Sequence, residues 1–521
     1  MKACKGVIAT GHPATTEAAR VILEAGGNAF DAVLAAHFAA CVSEPVLASL
    51  GGGGFLMSHS KKHGNNLYDF FCQTPIEKKA LNTVDFHPII ADFGTATQEF
   101  HIGMGSVATP GTVKGLFAIH NDLGSMPMSR IVEPATELAR QGITVNGFQA
   151  YILEIVNAIY HQDSKTLAVF ESSTNPGQLL TEGELLRLPE YAEILESLAS
   201  EGAGLFYQGE LAKKLIAHCD AYGGFLTQQD LSSYEVIRRK PLEVEFSGAR
   251  ILTNPPPSCG GILIALALEL LSGAPIAGAN YDDLGNLELL VRVMEQTNKA
   301  RVESGLDRMS DPDQPLGLLD ADFILKYRDQ VLGRPVFSRG TTQFSVIDSL
   351  GNIASMTVSN GEGCGHILPG TGIMLNNMLG EEDLHPAGFH QWQTDQRIAS
   401  MMSPSIVLES NGSACAIGSG GSNRIRTAIL QVLCNLLRFD MPLGDAVQAS
   451  RIHFEDDHLN IEDGINPKTL DALVANFPSH HHWPDKNLFF GGVHAVRHSH
   501  GSGLFEGIGD PRRGGDSTLV S

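Results

Sequence analysis

The stretch that decides the fold is Arg339-Gly340-Thr341-Thr342-Gln343-Phe344-Ser345-Val346-Ile347-Asp348. From Thr341 onward its residues alternate between two faces of a strand. One face carries Thr342, Phe344 and Val346, and the other carries Gln343, Ser345 and Ile347. A turn at 348–351 leads into a second strand-like run, Ile353–Ser359. The pattern therefore predicts a β-hairpin that begins at a threonine directly after a glycine.

Thr341 has two interpretations. Threonine is a good strand residue, and this is the simpler reading. If the chain were cut before Thr341, its new α-amino group would lie beside its own hydroxyl and act as the base of a nucleophile. Gly418-Ser419-Gly420-Gly421-Ser422-Asn423, between a strand-like run and a helical one, would present backbone N–H groups at a helix N-terminus. Nucleophile, base and paired donors together would suit acyl transfer, but the residues alone leave both interpretations open.

Composition limits the class of protein. The chain has 521 residues, of which 43% are hydrophobic and 18% charged, so it can bury a large core. Its net charge of −22 argues against nucleic acid or an anionic membrane as a partner. The N-terminus has no apolar run of signal-peptide length, and the eight cysteines form no Cys-x-x-Cys pair. These features predict a cytoplasmic protein with reduced thiols.

Other motifs give no sign of a cofactor or metal. No phosphate-binding or dinucleotide-binding glycine motif follows a strand. The histidines near the C-terminus match no zinc pattern, and we expect them to lie on the surface: His480, His481, His482, His494, His498 and His500. Helical patterns fall mainly in the first two thirds, 76–100 and 311–340 are predicted to be loops, and strands cluster around 341–417. This distribution favours a layered α+β body.

Ordered blocks along nearly the whole chain resemble the γ-glutamyltranspeptidase (γ-glutamyltransferase) family of N-terminal-nucleophile hydrolases. The blocks are 24–32 (EAGGNAFDA), 50–55 (LGGGGF), 109–113 (TPGTV), 255–261 (PPPSCGG), 341–348 (TTQFSVID), 375–377 (LNN), 400–404 (SMMSP) and 418–421 (GSGG). The resemblance implies a four-layer αββα sandwich, made as one precursor that cuts itself between Gly340 and Thr341. Segments 1–340 and 341–521 would then stay associated in one compact body.

The resemblance also assigns roles to residues. Thr341 would form an acyl-enzyme, with its own amine as base. Gly421 and Ser422 would supply the N–H groups that stabilise the oxyanion. Ser359 and Asn360 lie where the family orients the nucleophile and contacts the amino group of the substrate.

The substrate pocket departs from the family. Phe71 stands where the family has the arginine that binds the substrate α-carboxylate, and a phenyl ring cannot replace a bidentate guanidinium. The family's serine pair is here Ser400-Met401, and the polar residue after the 375–377 block is Met378. The acidic ligand for the α-amino group is retained as Glu381. Arg397 or Arg424 is a candidate to take over the carboxylate.

Three hypotheses follow. The chain is a self-cleaving threonine hydrolase or transferase acting on glutathione-like γ-glutamyl amides, or an amidase or acylase with a different acyl group on the same scaffold. The third hypothesis is an unprocessed, non-catalytic relative that binds a ligand. The sequence leaves open the acceptor, which is water, an amino acid or a peptide, and also the pairing of two bodies into a homodimer.

Overall fold

The computed structural model describes residues 4–92, 97–272, 274, 280–304, 340–385 and 388–521. In chain order its α-helices are α1 (Pro13–Glu24), α2 (Ala29–Ser43), α3 (Thr112–Leu123), α4 (Met128–Gln141), α5 (Gly147–Ile155), α6 (Asn157–Tyr160), α7 (Ser164–Phe170), α8 (Pro189–Glu201), α9 (Gly204–Tyr207), α10 (Glu210–Ala221), α11 (Gln228–Ser233), α12 (Cys259–Ser272), α13 (Leu284–Ser304), α14 (Arg424–Leu437), α15 (Leu443–Gln448) and α16 (Pro467–Asn476). The predicted loop at 311–340 lies outside the described residues except for Gly340.

The strands come from both halves of the chain. They are β1 (Gly6–Thr10), β2 (Gly53–Ser60), β3 (Gly64–Asp69), β4 (His87–Asp92), β5 (Thr97–Ile102), β6 (Ile143–Thr144), β7 (Leu185–Leu186), β8 (Ile237–Arg239), β9 (Leu242–Phe246), β10 (Ala249–Thr253), β11 (Thr342–Asp348), β12 (Ile353–Ser359), β13 (Ile367–Leu368), β14 (Ile373–Met374), β15 (Ser405–Glu409), β16 (Ala414–Gly420), β17 (Ile452–Glu455), β18 (His458–Glu462), β19 (His480–Trp483), β20 (Gly492–Ser499), β21 (Leu504–Ile508) and β22 (Asp516–Val520).

Two large sheets form the centre of the molecule. One has seven strands in the order β22-β1-β11-β12-β2-β3-β8, and the other has six in the order β21-β20-β16-β15-β10-β9. The sheets pack face to face through β11 against β16 and β1 against β20, while α2 covers the first sheet and α14 covers the second. The fold is therefore an α+β, four-layer αββα sandwich, as the sequence and the resemblance predicted.

The predicted hairpin lies in the middle of the larger sheet. Strand β11 pairs antiparallel with β12, with Thr342 opposite Val358, and every residue of both strands is buried. Phe344 belongs to the core beneath α2, whereas Ile347 belongs to the core between the sheets. The alternation predicted from the sequence is confirmed.

Helix α2 supports this hairpin from outside the sheet. All of its residues are buried, because it is apolar around its whole circumference. An Asn28–Asp31 capping box closes its N-terminus, and the backbone N–H of Ala29 donates to Asp348 Oδ2 at 3.0 Å. The turn of the hairpin is thereby attached to the start of the helix beneath it.

Three local predictions were wrong or incomplete. Residues 76–100 are not all loop, because β4 and β5 pair there, and His101 N donates to Gly380 O at 3.0 Å. Strands extend well past 417, since β20, β21 and β22 complete the sheets. His494 is 2% exposed rather than on the surface, because Asp510 N donates to its Nδ1 at 3.1 Å. Long-range packing that local patterns do not encode explains all three differences.

Among the described residues, no helix combines the length and the apolar character needed to cross a bilayer.

Candidate active site

The two threonines at the head of β11 face different parts of the molecule. Thr341 lines a pocket and is 5% exposed. The Thr342 hydroxyl points the other way and donates to Glu44 Oε2 at 2.7 Å. The carbonyl oxygen of Thr341 accepts a hydrogen bond from Arg513 Nη1 at 3.2 Å. The strand and two buried charged side chains therefore fix the backbone of the predicted nucleophile.

The peptide bond before Thr341 is also held. Ser359, the last residue of β12, donates its hydroxyl to the carbonyl oxygen of Gly340, and Gly361 N donates to the same hydroxyl at 3.1 Å. A Cβ atom on Gly340 would lie 2.0 Å from the carbonyl oxygen of Gly361. Only glycine fits at this position without moving the neighbouring loop.

A pocket with about 410 Å³ of open space, counting its mouth, surrounds Thr341. The polar side chains that line it are Thr341, Ser359, Glu381, Ser400 and Ser422. The apolar ones are Phe71, Met378, Leu384, Met401, Met402 and Ile425. The structure thus brings together every site residue predicted from the sequence except Asn360 and Gly421, which adjoin lining residues in the chain.

Gly421 and Ser422 form the turn between β16 and α14. Both have positive φ, 125° for Gly421 and 50° for Ser422, and the second is an unusual value for a serine. A Cβ on Gly420, the preceding residue, would lie 2.2 Å from the carbonyl oxygen of Thr341. The predicted strand, glycine turn and helix are confirmed, and they lie directly against Thr341. Their role as an oxyanion site stays a prediction.

Asn360 and Glu381 flank the glycine loop that follows β12. Asn360 is fully buried, and within the described residues neither polar atom of its amide has a hydrogen-bond partner. A buried amide of this kind normally has partners, and its role in binding a substrate amino group stays a prediction. The Glu381 carboxylate reaches over Gly361, since a Cβ there would lie 2.7 Å from Glu381 Oε1.

Neither arginine considered from the sequence reaches the pocket. Arg397 has its Nε 3.3 Å from Asp69 Oδ1, and its guanidinium donates to the carbonyl oxygen of Phe71 and, at 2.5 Å, to the Tyr234 hydroxyl. The fully buried Asp69 pairs with Arg397 and also with Arg239, whose Nε donates to Asp69 Oδ2 at 2.9 Å. Arg424 is buried with its guanidinium 4.9 Å from the ring centre of Phe489. The expectation that one of them replaces the missing arginine was wrong.

Phe71 makes this end of the pocket apolar. Its ring stacks on Phe55 with the ring centres 5.6 Å apart, and Tyr234 donates to its carbonyl oxygen at 2.8 Å. Among the described residues that line the pocket, Glu381 is the sole acidic or basic side chain. The pocket therefore offers one carboxyl group and a hydrophobic wall.

Two charged residues beside Thr341 and Thr342, Glu44 and Arg513, were not predicted from the sequence. Burial raises the pKa of Glu44 to about 7, against the opposing effects of the Thr342 and Thr15 hydroxyls and the charge of Arg513. Burial, and then the charge of Arg424, lowers the pKa of Arg513 to about 10. Both residues lie far from Thr341 in the chain. The one indication in the sequence was an acidic residue, Glu44, directly after the apolar helix α2.

Comparisons with known proteins agree with this architecture. A cephalosporin acylase from Bacillus halodurans has a similar structure, with a TM-score of 0.85 and 22% identity over 99% of this chain and 96% of that one. The γ-glutamyltranspeptidase of Helicobacter pylori gives a TM-score of 0.54 and 28% identity over 62% of this chain and 91% of that one. At 22% identity, the similarity to the cephalosporin acylase shows a shared fold and nothing more.

Sequence relatives carry two kinds of name. The chain is 28% identical to a glutathione hydrolase proenzyme of Bacillus subtilis (strain 168), over 98% of this chain and 90% of that protein. It is 29% identical to an acylase ACY 1 proenzyme of Pseudomonas sp. (strain V22), over 90% of this chain and 86% of that protein. The family model described as Gamma-glutamyltranspeptidase matches residues 15–520. The chain therefore belongs to the gamma-glutamyltranspeptidase family of enzymes.

Proposed function

We propose that the protein is a self-processing threonine amidase of this family whose pocket prefers a largely apolar acyl group to a γ-glutamyl group. The observation that carries this proposal is the wall formed by Phe71, Met378 and Met401, with no cation among the described lining residues. A free α-carboxylate bound there would lose its water without gaining a charged partner. The acylase among the relatives supports the same choice.

Self-processing would begin with attack of the Thr341 hydroxyl on the carbonyl carbon of Gly340. The hydroxyl donor of Ser359 stands at the oxygen on which negative charge develops. Collapse of the intermediate breaks the Gly340–Thr341 C–N bond and leaves Gly340 as an ester on the threonine. The hydroxyl proton passes to the departing nitrogen, which becomes the free amine of Thr341. Water then hydrolyses the ester, which releases the Gly340 carboxylate and restores the Thr341 hydroxyl.

In turnover, the freed amine of Thr341 would take the proton of its own hydroxyl as that oxygen attacks the substrate amide. The backbone N–H groups of Gly421 and Ser422 would stabilise the oxyanion. The amine would return the proton to the leaving amine as the amide C–N bond breaks. Water, activated in the same way, would hydrolyse the acyl ester and regenerate Thr341.

Hydrolysis of γ-glutamyl amides is the second candidate. Glu381 and Ser400 remain in the pocket, and a carboxylate is suited to an α-ammonium group. Loss of one charged hydrogen-bond partner typically costs about 1.5–3 kcal/mol, roughly ten- to a hundred-fold in affinity. Binding of a γ-glutamyl group would therefore be weakened rather than abolished.

Two 4-nitroanilides test this choice. We expect hexanoyl-4-nitroanilide to be hydrolysed with a kcat/KM at least about ten-fold above that of γ-glutamyl-4-nitroanilide. A preference for the γ-glutamyl compound would favour the second candidate. Turnover of neither compound, together with a single full-length band on a denaturing gel, would favour an unprocessed binding protein.

A further inference from the structure

A second cavity lies on the helical side of the seven-stranded sheet. It has about 430 Å³ of open space, counting the solvent at its mouth, and its lining shares no residue with that of the pocket around Thr341. Its apolar walls include Val46, Leu47, Leu153 and Leu186, all buried. The less buried Ile152 stands nearer to solvent. The cavity is thus a mainly hydrocarbon-lined space that solvent can enter.

Glu44 is the charged group in this lining. The residue is 5% exposed, and its carboxylate accepts hydrogen bonds from the Thr15 hydroxyl at 3.0 Å and from the Thr342 hydroxyl at 2.7 Å. Within the described part of the chain Glu44 has no ion pair within 4.0 Å, and the charge of Arg513 lowers its pKa against the larger effect of burial. Two neutral hydroxyls occupy two of the roughly four acceptor sites of a carboxylate.

The other polar side chains of the lining are already occupied. His12 Nδ1 accepts from Ala14 N at 3.0 Å, and burial lowers the pKa of this imidazole to about 4, so it is neutral. Gln149 donates to the carbonyl oxygen of Ser43 and accepts from Asn146 N at 2.7 Å. A ligand would therefore meet one carboxylate with acceptor capacity and otherwise apolar side chains.

We propose that this cavity binds a small hydrophobic primary amine, with its ammonium group on Glu44 and its hydrocarbon chain against Val46, Leu153 and Ile152. An ammonium group has three donors and a charge that matches the carboxylate. Its hydrocarbon part gains from leaving water. Glu44 also accepts a hydrogen bond from Thr342, the residue after the predicted nucleophile. The amine would therefore bind to a carboxylate that contacts β11 on the side opposite the pocket around Thr341.

The proposal is tested by isothermal titration calorimetry of the full chain with n-hexylamine. The titration is done at about pH 8, where both the Glu44 carboxylate and the ammonium group are charged. We expect saturable binding at this cavity, and the variants distinguish it from any binding beside Glu381. Glu44→Gln should weaken hexylamine about ten-fold or more and change binding of the neutral isostere 1-hexanol less than about two-fold. Ile152→Trp should fill the cavity and weaken both compounds. Glu381→Gln, in the other pocket, should leave both affinities unchanged.

Absence of hexylamine binding in the unaltered protein would overturn the proposal. Binding that both Glu44→Gln and Ile152→Trp leave unchanged would also overturn it. Loss of binding in Glu381→Gln would overturn it too, because the amine would then occupy the pocket around Thr341. Thermal unfolding verifies that each variant is folded. If Glu44→Gln does not fold, the contrast between Ile152→Trp and Glu381→Gln decides. None of these results depends on turnover, so the failure of this proposal is distinguishable from failure of the proposed function.

Discussion

The hydroxyl of Ser359 donates a hydrogen bond to the carbonyl oxygen of Gly340. This oxygen belongs to the peptide bond that would be cut, so the donor is in place before any reaction begins. Gly361 N donates to the same hydroxyl at 3.1 Å and so directs its proton towards the carbonyl. The uncleaved chain thus holds its predicted cleavage site in an ordered arrangement.

Ser359→Ala should slow self-cleavage by about 10²–10³-fold, the usual effect of removing one donor from an oxyanion. Ser359→Thr keeps the hydroxyl and should cleave at close to the normal rate. The measurement is the time course of full-length chain on denaturing gels after synthesis. Equal rates for Ser359→Ala and the unaltered protein would exclude a role for this hydrogen bond in processing.

Glu381→Gln should distinguish substrates with and without an ammonium group. For γ-glutamyl-4-nitroanilide we expect KM to rise about ten-fold or more, because a charged partner is lost. For hexanoyl-4-nitroanilide KM should change less than about two-fold. Glu382→Gln, at the exposed neighbouring position, is the matched control. The same loss for both substrates would show that Glu381 holds the pocket together rather than binding an amino group.

Met401→Ser would restore a second hydroxyl beside Ser400. It should lower kcat/KM for the hexanoyl compound by roughly ten-fold, because apolar contact is lost, and raise it for the γ-glutamyl compound. Met401→Leu keeps an apolar side chain of similar volume and should retain the hexanoyl preference. The ratio of the two specificity constants is the readout. An unchanged ratio in Met401→Ser would show that this side chain does not determine the preference between the two acyl groups.

Buried charges anchor the C-terminal segment next to Arg513. Asp510 is fully buried, 2.7 Å from Arg451 Nη2 and 3.2 Å from Arg512 Nη1. Burial raises the pKa of Asp510, but the charges of the two arginines outweigh this effect and hold the pKa at about 2. Asp510→Asn removes the carboxylate that pairs with the buried Arg451, while Arg512 keeps Glu462, and should cost about 3–5 kcal/mol. Thermal unfolding measures the loss, and Asp485→Asn, at an exposed position, should show none.

Glu44 should make stability fall as the pH rises. Its folded pKa of about 7 lies above its ordinary value of 4.5, so the folded state binds the proton more tightly. Its contribution is fully present below pH 4.5 and is lost as the pH rises through 7, a difference of about 3 kcal/mol. Glu44→Gln should therefore unfold at a higher temperature than the unaltered protein at about pH 8. This difference in unfolding temperature should shrink towards about pH 5. An equal difference at both values would contradict the raised pKa.

The sequence predicted the centre of the fold well because its residues carry strong local signals. Strict alternation identified β11, the all-apolar helix α2 could only be internal, and the glycines before α14 indicated the turn. The family resemblance then supplied the layers and most of the pocket lining, but not Leu384, Met402 or Ile425. Periodicity and glycine placement act within a few residues, which is the range over which sequence reasoning is dependable.

Long-range contacts set the limits of that reasoning. Arg397 was a candidate substrate ligand until the structure placed it on Asp69, over 300 residues away in the chain. Glu44 and Arg513 were missed because their neighbours in sequence do not indicate these contacts. Glu44 binds the Thr342 hydroxyl, and Arg513 binds the Thr341 carbonyl oxygen. Buried charges are matched by tertiary packing, and a single sequence gives no record of the partner.

The most direct test of the account is the intact mass and N-terminal sequence of the purified protein. We predict two chains that stay together under native conditions, one of which begins Thr341-Thr342-Gln343, and a Thr341→Ala variant that stays full-length and inactive. Thr342→Val, whose altered side chain faces Glu44 instead of the pocket, should still be cut. A single full-length chain that hydrolyses amides, a new N-terminus at another residue, or turnover by Thr341→Ala would contradict Thr341 as the nucleophile.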